Sequence, residues 1–448
     1  MKIHFIAIGG AVMHNLAIAL FKKGYDITGS DDEVFDPSKS RLQKYGLLPA
    51  EWGWYPEKIN KETDAVILGM HARKDNPELK RAQELDIKIY SFPEYLYEQT
   101  KNKKRVVIAG SHGKTTITSM IMHVLRDQEI SFDYMVGSQL EGFETMVGLH
   151  EDSEIAIFEG DEYLTSPLDP RPKFVHYKPH ITLISGIAWD HMNVFPDYQL
   201  YKKQFAELVE MTDAGGTIFY YEGDNELFEI IRQANFHAKA LPYYAIPYRI
   251  TPSGTEIIHK GTILRTGLIG KYNIENLSGA LKICQALGIE SSAFMQSMDT
   301  FRGAAKRQEL IYEDKNKMLF IDFAHAPSKV KATVAGFKEN YPGKKLIVFL
   351  ELHTFSSLNK EFIPQYKGSL EPAAEASVFF NPEVVKHKKL PEIDPQFIHD
   401  RFEKQNLKVI TDPKILKNEI TEKLKEKNTV ILIMSSGNLG GVDISSLL

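Results

Sequence analysis

The chain has 448 residues, 43% of them hydrophobic and 25% charged, with a formal net charge of −5 at pH 7. This length predicts two or three domains, and the slightly acidic balance argues against a nucleic-acid-binding surface. The single cysteine, Cys284, excludes an intramolecular disulfide and a cysteine-cluster metal site. No apolar run approaches a membrane helix, and the N-terminus enters a strand without a signal-peptide cleavage site. We therefore expect a cytoplasmic protein without a membrane partner.

Short apolar runs alternate with helical patterns in the first hundred residues. Residues 3–8, 25–29 and 64–70 read as strands, with one helix running to Lys23 and another starting near Pro77. This alternation is typical of βαβ units and a parallel sheet. The basic stretch 101–105 reads as a solvated link, so we place a first domain at residues 1–102.

Two more alternating sets follow. The second domain, residues 103–302, has predicted strands at 105–110, 154–159, 181–185 and 216–221, a hairpin at 254–267 around Lys260-Gly261, and helices over about 272–300. The third, residues 303–448, has predicted strands at 317–323, 344–350, 377–380, 407–410 and 429–434. The pattern predicts three α/β domains.

A strand that leads through a glycine turn into Gly-Lys-Thr at a helix start is typical of a phosphate-binding loop. Its residues here are Gly110, Ser111, His112, Gly113, Lys114, Thr115 and Thr116. Lys114 would reach the β- and γ-phosphates and Thr115 would bind Mg²⁺. Ile108 stands where the general pattern has glycine, so the loop departs from the standard spacing. The alternative is a fortuitous Gly-Lys-Thr at a helix cap.

Polar residues follow two other strands of the predicted central sheet. Glu159 ends the strand at 154–159, and His191 follows the strand at 181–185, next to an aspartate. Ligands of open α/β sheets bind beyond the carboxyl ends of the strands, and phosphoryl transfer needs its charge neutralised by cations. We therefore predict Glu159 as a Mg²⁺ ligand and His191 as a ligand of a second Mg²⁺ or of a substrate phosphate. An acidic solvent loop and a structural histidine are the alternatives.

Together these segments, in this order, resemble the Mur ligase family over essentially the whole chain. The family's shortened phosphate loop accounts for Ile108, and its acidic and Asp-His metal segments match Glu159-Gly160-Asp161-Glu162 and Trp189-Asp190-His191. The resemblance implies a Rossmann-like UDP-binding domain, a central P-loop ATPase-like domain with a mostly parallel sheet, and a C-terminal Rossmann-like domain. It also implies that ATP and Mg²⁺ are required. The further nucleotide-binding residues that it implies are Asn273, Asn276, Arg307, Asp322 and His325. Without the family, the two asparagines read as helix caps.

The first domain resembles the branch of the family that uses UDP-N-acetylmuramate directly. The substrate-binding residues implied there are Gly9, Gly10, Ser30, Asp31, His71 and Asn76, with His353 in the third domain. Unaided, Gly9-Gly10 is a weak signal, since it also fits a plain strand–helix turn.

Two acceptors remain open within that branch, the tripeptide L-Ala-γ-D-Glu-meso-diaminopimelate and L-alanine. The chain has Ala7 and Val12 where the alanine-adding pattern has glycines, and residues 351–357 lack the arginines that would close the pocket on a small amino acid. These departures favour the tripeptide. Gly186 stands where many family members have asparagine, which puts the geometry of the second metal in question.

The implied reaction activates the lactyl carboxylate of UDP-N-acetylmuramate as an acyl phosphate, which the acceptor amine then attacks. Lys114, His191 and Arg307 are the expected catalytic residues, and His191 and His353 are candidate bases. We expect the third domain to close on ATP and the protein to be a monomer or weak dimer.

The rival hypotheses are a P-loop kinase or NTPase, a non-catalytic nucleotide-sugar-binding protein, and a folate-type or polyglutamate-type ligase. The last of these would have no UDP-sugar domain at residues 1–100.

Overall fold

The computed structural model describes residues 1–70, 72–189, 195, 197–251, 254–301, 303 and 307–448. These residues form two compact units. The first unit comprises Met1–Ile187, Gln199–Tyr244 and Gly279–Ser297, and the second comprises Ala188–Tyr198, Ala245–Ser278 and Met298–Leu448. Among the described helices, none has the length and apolar character needed to cross a membrane.

The first unit begins with a four-stranded parallel sheet in the order β2-β1-β3-β4. Its strands are β1 (Lys2–Ile6), β2 (Asp26–Ser30), β3 (Ala65–Leu68) and β4 (Ile89–Ser91), and its helices are α1 (Ala11–Lys22), α2 (Ser38–Lys44), α3 (Pro77–Glu84) and α4 (Phe92–Thr100). Asn76 caps α3 by accepting hydrogen bonds from two first-turn N–H groups, and Ser91 and Glu94 form a capping box on α4. The predicted strands are confirmed, although the first ends at Ile6 and not at Ile8.

A seven-stranded sheet in the order β11-β10-β9-β5-β8-β6-β7 completes the first unit. Its strands are β5 (Lys104–Ala109), β6 (Phe132–Met135), β7 (Val147–Gly148), β8 (Ile155–Glu159), β9 (Ile181–Ile184), β10 (Thr217–Tyr221) and β11 (Lys239–Tyr243), and its helices are α5 (Lys114–Asp127), α6 (Tyr198–Met211) and α7 (Asn225–Gln233). Only β7 pairs antiparallel. Residues 106–109 of the central strand are fully buried, as expected for a parallel sheet that is covered on both faces.

The predicted hairpin is confirmed within a three-stranded antiparallel sheet of the second unit, formed by β12 (Tyr248–Thr251), β13 (Gly254–His259) and β14 (Thr262–Thr266). Its turn residues Lys260 and Gly261 both have positive φ, at 46° and 81°, which is the geometry of a type I′ turn. Helices α8 (Lys271–Ala286) and α9 (Ser291–Met298) follow in the chain, and their residues from Gly279 to Ser297 belong to the first unit. Cys284, on α8, is fully buried, and burial raises the pKa of its thiol.

A six-stranded sheet in the order β15-β16-β20-β17-β18-β19 forms the rest of the second unit. Its strands are β15 (Glu309–Glu313), β16 (Lys317–Asp322), β17 (Lys345–Glu351), β18 (Glu375–Phe379), β19 (Lys408–Ile410) and β20 (Thr429–Met434), with helices α10 (Pro327–Asn340), α11 (Pro382–His387), α12 (Pro395–Phe402) and α13 (Pro413–Lys423). All of its pairings except β15–β16 are parallel, and two apolar clusters pack on the sheet. The α/β fold with mostly parallel sheets is therefore confirmed, while the boundaries at 102/103 and 302/303 stay a prediction.

Candidate active site

The loop after β5 takes a conformation that requires glycine at both ends. Gly110 has φ +126°, and a Cβ atom built there would lie 2.4 Å from the Oγ of Ser185. Gly113 has φ 78° and directly precedes α5. Because no side chain caps the first turn of α5 from that position, the N–H groups at the helix start can bind an anion, which the helix dipole also favours. The predicted phosphate loop thus has the local geometry that a nucleotide needs.

The end of β9 braces this loop. The N–H of Ser111 donates to the carbonyl of Gly186 at 2.9 Å, the N–H of Ser185 donates to the carbonyl of Ala109 at 3.1 Å, and the hydroxyl of Ser185 donates to the carbonyl of His112. Gly186 has φ +129°, a conformation that side chains rarely adopt. The glycine at this position is therefore explained by the backbone conformation of the bracing strand end.

Lys114 lies in an acidic environment in the first turn of α5. Its Nζ donates to the carbonyl of Gly110 at 2.6 Å and to Oε2 of Glu162 at 2.7 Å. Burial alone would lower the pKa of Lys114, but the charges of Glu162 and Asp161 raise it above its usual value. Burial would likewise raise the pKa of Asp161, but Lys173, at 2.7 Å, and Lys114 lower it. Lys114 is therefore a cation that hydrogen bonds hold beside the phosphate loop.

Two predicted magnesium ligands lie next to each other beside this loop. The hydroxyl of Thr115 donates to Oε1 of Glu159 at 2.9 Å, and the N–H of Gly137 donates to Oε2 of the same carboxylate at 2.9 Å. Glu159 reaches this position because β8 pairs in parallel with β5, opposite Ile108. Adjacent hydroxyl and carboxylate oxygens are hard donors of the kind that Mg²⁺ prefers, so the residues fit the ion. His191, the third predicted ligand, lies outside the described residues.

The nucleotide residues predicted in the second unit form a connected group. Asn273 donates through Nδ2 to the carbonyl of Ile269 at 3.0 Å and to Oε1 of Gln308 at 2.7 Å, and Asn276 donates to Oδ1 of Asn273 at 3.3 Å. The N–H of Gln308 donates to Oδ2 of Asp322 at 2.8 Å. Gln308 therefore connects the start of α8 to the end of β16. Sequence reasoning missed it, although it directly follows Arg307.

The side chains of Arg307 and His325 contact the ring of Phe323, which directly follows Asp322. The guanidinium of Arg307 lies 4.8 Å from the ring centroid, and the His325 ring packs edge-on at 5.3 Å. Burial raises the pKa of Asp322, although the charge of Arg307 and hydrogen bonds from the N–H groups of Ala324 and Gln308 act against this shift. The structure thus brings these three predicted residues together at the carboxyl end of β16, where Rossmann-like sheets bind ligands.

At the first sheet, the N–H of Gly9 donates to Oδ2 of Asp31 at 2.7 Å. Burial and the neighbouring Asp32 raise the pKa of Asp31 to about 6, against the lowering effect of this hydrogen bond. Ser30 is fully buried, and its hydroxyl accepts a hydrogen bond from Nζ of Lys58 at 3.2 Å. Gly9, Gly10, Ser30 and Asp31 thus lie at the carboxyl ends of β1 and β2, and their role in substrate binding stays a prediction. The side-chain oxygen of Asn76 caps α3, and His71 lies outside the described residues.

His353 lies at the carboxyl edge of the last sheet, where β17 and β20 are neighbours. Its Nδ1 is 3.7 Å from Oε1 of Glu351, whose Oε2 accepts a hydrogen bond from the N–H of Leu439 at 3.1 Å and one from the hydroxyl of Ser435. Burial would raise the pKa of Glu351, but these partners lower it below its usual value. A Cβ at Gly437 would lie 2.6 Å from the His353 ring. The buried Glu351, which sequence reasoning did not single out, therefore lies beside the histidine.

Comparison with known proteins finds similarity along most of the chain. Residues 2–104 match the description "Mur ligase family, catalytic domain", residues 108–284 match "Mur ligase middle domain", and residues 306–437 match "Mur ligase, glutamate ligase domain". The chain is 26% identical to the UDP-N-acetylmuramate–L-alanyl-gamma-D-glutamyl-meso-2,6-diaminoheptandioate ligase of Haemophilus influenzae, over 98% of this chain and 97% of that protein.

Two further similarities complete the comparison. The chain is 29% identical to the UDP-N-acetylmuramate–L-alanine ligase of Caldicellulosiruptor bescii, over 84% of this chain and 83% of that protein. Its fold is similar to the crystal structure of a murein peptide ligase from Psychrobacter arcticus, with a TM-score of 0.68 at 20% identity, covering 98% of this chain and 97% of the other.

Proposed function

This chain belongs to the Mur ligase family, and from that premise we propose that it joins the lactyl carboxylate of UDP-N-acetylmuramate to the amine of L-alanyl-γ-D-glutamyl-meso-diaminopimelate. As a member of the family it is an ATP-dependent ligase that forms an amide bond. The similarity to the Haemophilus ligase over nearly the full length of both chains is the observation that carries the choice of acceptor. The absence of arginines from residues 351–357 supports the same choice.

In the first step the carboxylate oxygen attacks the γ-phosphorus of ATP, which gives an acyl phosphate and ADP. The loop from Gly110 to Thr116 holds the phosphates through backbone N–H groups, and Lys114 stabilises the charge on the transferring group. Thr115 and Glu159 would hold Mg²⁺, with His191 as a further ligand. When bound, the ion neutralises phosphate charge and orients the terminal phosphate.

The resemblance to the family implies further nucleotide-binding residues, and we include them in the proposal. Asn273 and Asn276 offer amide donors and acceptors to the adenine edge, while Arg307 binds phosphate and Asp322 and His325 lie beside it. At the first sheet, the edge that carries Gly9, Gly10, Ser30 and Asp31 binds the UDP-sugar, together with His71 and Asn76.

In the second step the neutral amine of the acceptor attacks the acyl carbon, the tetrahedral intermediate expels phosphate, and the amide forms. One proton leaves the nitrogen during this step, so a base is needed. We retain His353 and His191 as candidates, and the carboxylate of Glu351 lies 3.7 Å from Nδ1 of His353. Water must be excluded throughout, since it hydrolyses the acyl phosphate.

L-alanine is the second candidate acceptor, and the similarity to the Caldicellulosiruptor ligase favours it. We further propose that the protein acts in the cytoplasm as a monomer or weak dimer. A P-loop kinase accounts for the loop around Lys114 but not for the matches at residues 2–104 and 306–437.

The test is an assay of the whole protein with UDP-N-acetylmuramate, ATP and Mg²⁺, offering either the tripeptide or L-alanine. Phosphate release and the mass of the product are measured together. We expect one phosphate per amide bond with the tripeptide, and neither product when one co-substrate is omitted. Turnover with L-alanine but not with the tripeptide would overturn the acceptor assignment. Phosphate release without an acceptor would favour a plain NTPase.

A further inference from the structure

A chain of side-chain contacts connects the phosphate loop to two residues that have no role in the mechanism above. The hydroxyl of Tyr201, on α6, lies 2.9 Å from Oγ of Ser111 and donates to Oε1 of Glu162 at 3.3 Å. The other carboxylate oxygen of Glu162 accepts the hydrogen bond from Lys114 at 2.7 Å. Both Glu162 and Tyr201 are fully buried. We call Glu162 and Tyr201 the latch.

The latch holds Lys114 against its own loop. The ammonium of Lys114 has three N–H donors, and two of its acceptors are the carbonyl of Gly110 and the carboxylate of Glu162. A lysine that serves a phosphate loop must direct donors at the β- and γ-phosphates. Donors directed at both phosphates therefore require Lys114 to give up at least one of these two hydrogen bonds.

The carboxylate of Glu162 suits this exchange because it is buried. An ion pair that is excluded from water is held strongly once formed, and removing one partner leaves the other charge uncompensated. Lys114 thus always has an anionic partner, first Glu162 and then the phosphate. Tyr201 keeps Glu162 in place by sharing its hydroxyl between the carboxylate and Ser111.

We propose that Glu162 is a positioning residue that stands in for the terminal phosphates in the nucleotide-free enzyme, and that ATP binds by displacing it from Lys114. This inference rests on the proposed binding of ATP at the loop. Its consequence is that Glu162 competes with the nucleotide, so wild-type affinity is weaker than the loop alone would provide.

The test is calorimetric titration of the whole protein with a non-hydrolysable ATP analogue and Mg²⁺. Glu162→Gln keeps the shape and removes the charge. Losing the charged competitor for Lys114 should tighten the dissociation constant on the order of tenfold. Damage to the fold would weaken binding instead. Glu162→Asp keeps the charge but shortens the side chain by one methylene, so the carboxylate lies farther from Lys114. This variant should also bind the analogue more tightly than the wild type, but by a smaller factor.

Two controls separate this effect from general perturbation. Glu144→Gln removes another glutamate–lysine pair of the same first unit, with Lys22 at 2.7 Å, and should leave nucleotide affinity unchanged. Tyr177→Phe removes a buried hydroxyl that has no hydrogen-bond partner among the described residues. It is the control for Tyr201→Phe, which should alter affinity because it removes the hydroxyl that contacts both Ser111 and Glu162.

The outcomes distinguish the latch from the proposed function. If the wild-type protein binds no nucleotide, the proposed function fails. If the wild type binds but Glu162→Gln and Glu162→Asp bind equally or more weakly, with thermal unfolding that shows folded protein, the latch is wrong. Tightening in both variants supports it.

Discussion

Substituting alanine for Gly110 tests how the phosphate loop is built. The residue has φ +126°, and a Cβ there would lie 2.4 Å from the Oγ, and 2.9 Å from the backbone N, of Ser185. The hydroxyl can rotate away, but the backbone nitrogen belongs to the end of β9, which braces the loop. The added methyl group therefore forces the loop away from β9, and we expect Gly110→Ala to bind ATP much more weakly than the wild type.

The size of the effect on stability follows from two costs. A side chain in this backbone region costs about 1–3 kcal/mol, and forcing a methyl group into a packed site costs a further ~1–3 kcal/mol. Gly53 isolates the first cost, because it has φ +130° but its nearest neighbour, the hydroxyl of Tyr55, lies at an ordinary 3.5 Å. Gly110→Ala should therefore lower the free energy of unfolding by about 2–6 kcal/mol, and Gly53→Ala by only about 1–3 kcal/mol.

The assay combines thermal unfolding with nucleotide titration of both variants. Each kcal/mol lowers the midpoint of a unit of this size by about 2–4 °C, so Gly110→Ala should unfold several degrees below Gly53→Ala. Equal midpoints for the two variants, together with wild-type affinity for ATP in Gly110→Ala, would refute the argument that the contact with Ser185 shapes the loop.

Three further predictions concern single charged groups. Lys114→Ala should lower the rate of ligation by about 10²–10³ while the protein still binds UDP-N-acetylmuramate, as measured by titration; an unchanged rate would remove Lys114 from the mechanism. Glu159→Gln should raise the Mg²⁺ concentration that gives half-maximal activity, and an unchanged requirement would mean that Glu159 is not a ligand. The pKa of Glu351 is lowered in the folded chain. Its ionised form therefore stabilises the fold when the pH is above the pKa of the unfolded chain, about 4.3. This contribution to stability is lost as the pH falls through the pKa of the folded chain. The wild type should therefore unfold at a higher temperature than Glu351→Gln at pH 7, and the difference should shrink in acid; a difference that grows in acid would contradict the assigned direction.

Features that depend on neighbours in the chain were predictable. The alternation of apolar runs and helices indicated an α/β fold with mostly parallel sheets, and the turn at Lys260-Gly261 indicated the hairpin. Short strands were missed, among them β7, which has two residues, and β6, which contains the buried Asp133. A strand of two residues has too few positions to show a period, and a buried aspartate interrupts the apolar pattern of the other.

The sequence by itself therefore determined the phosphate loop, since its glycines, lysine and threonines are consecutive and their conformation follows from local backbone preferences and the helix start. Only the tertiary structure decided what surrounds that loop. Tyr201 and Ser111 are 90 residues apart in the chain, and Glu162 and Lys114 are 48 apart. Such pairs meet because of the order of strands in the sheet and the packing of α6, which no local pattern encodes. The order β9-β5-β8 places the ends of three strands side by side. That order brings the carboxylate of Glu162, which follows β8, to Lys114, which follows β5.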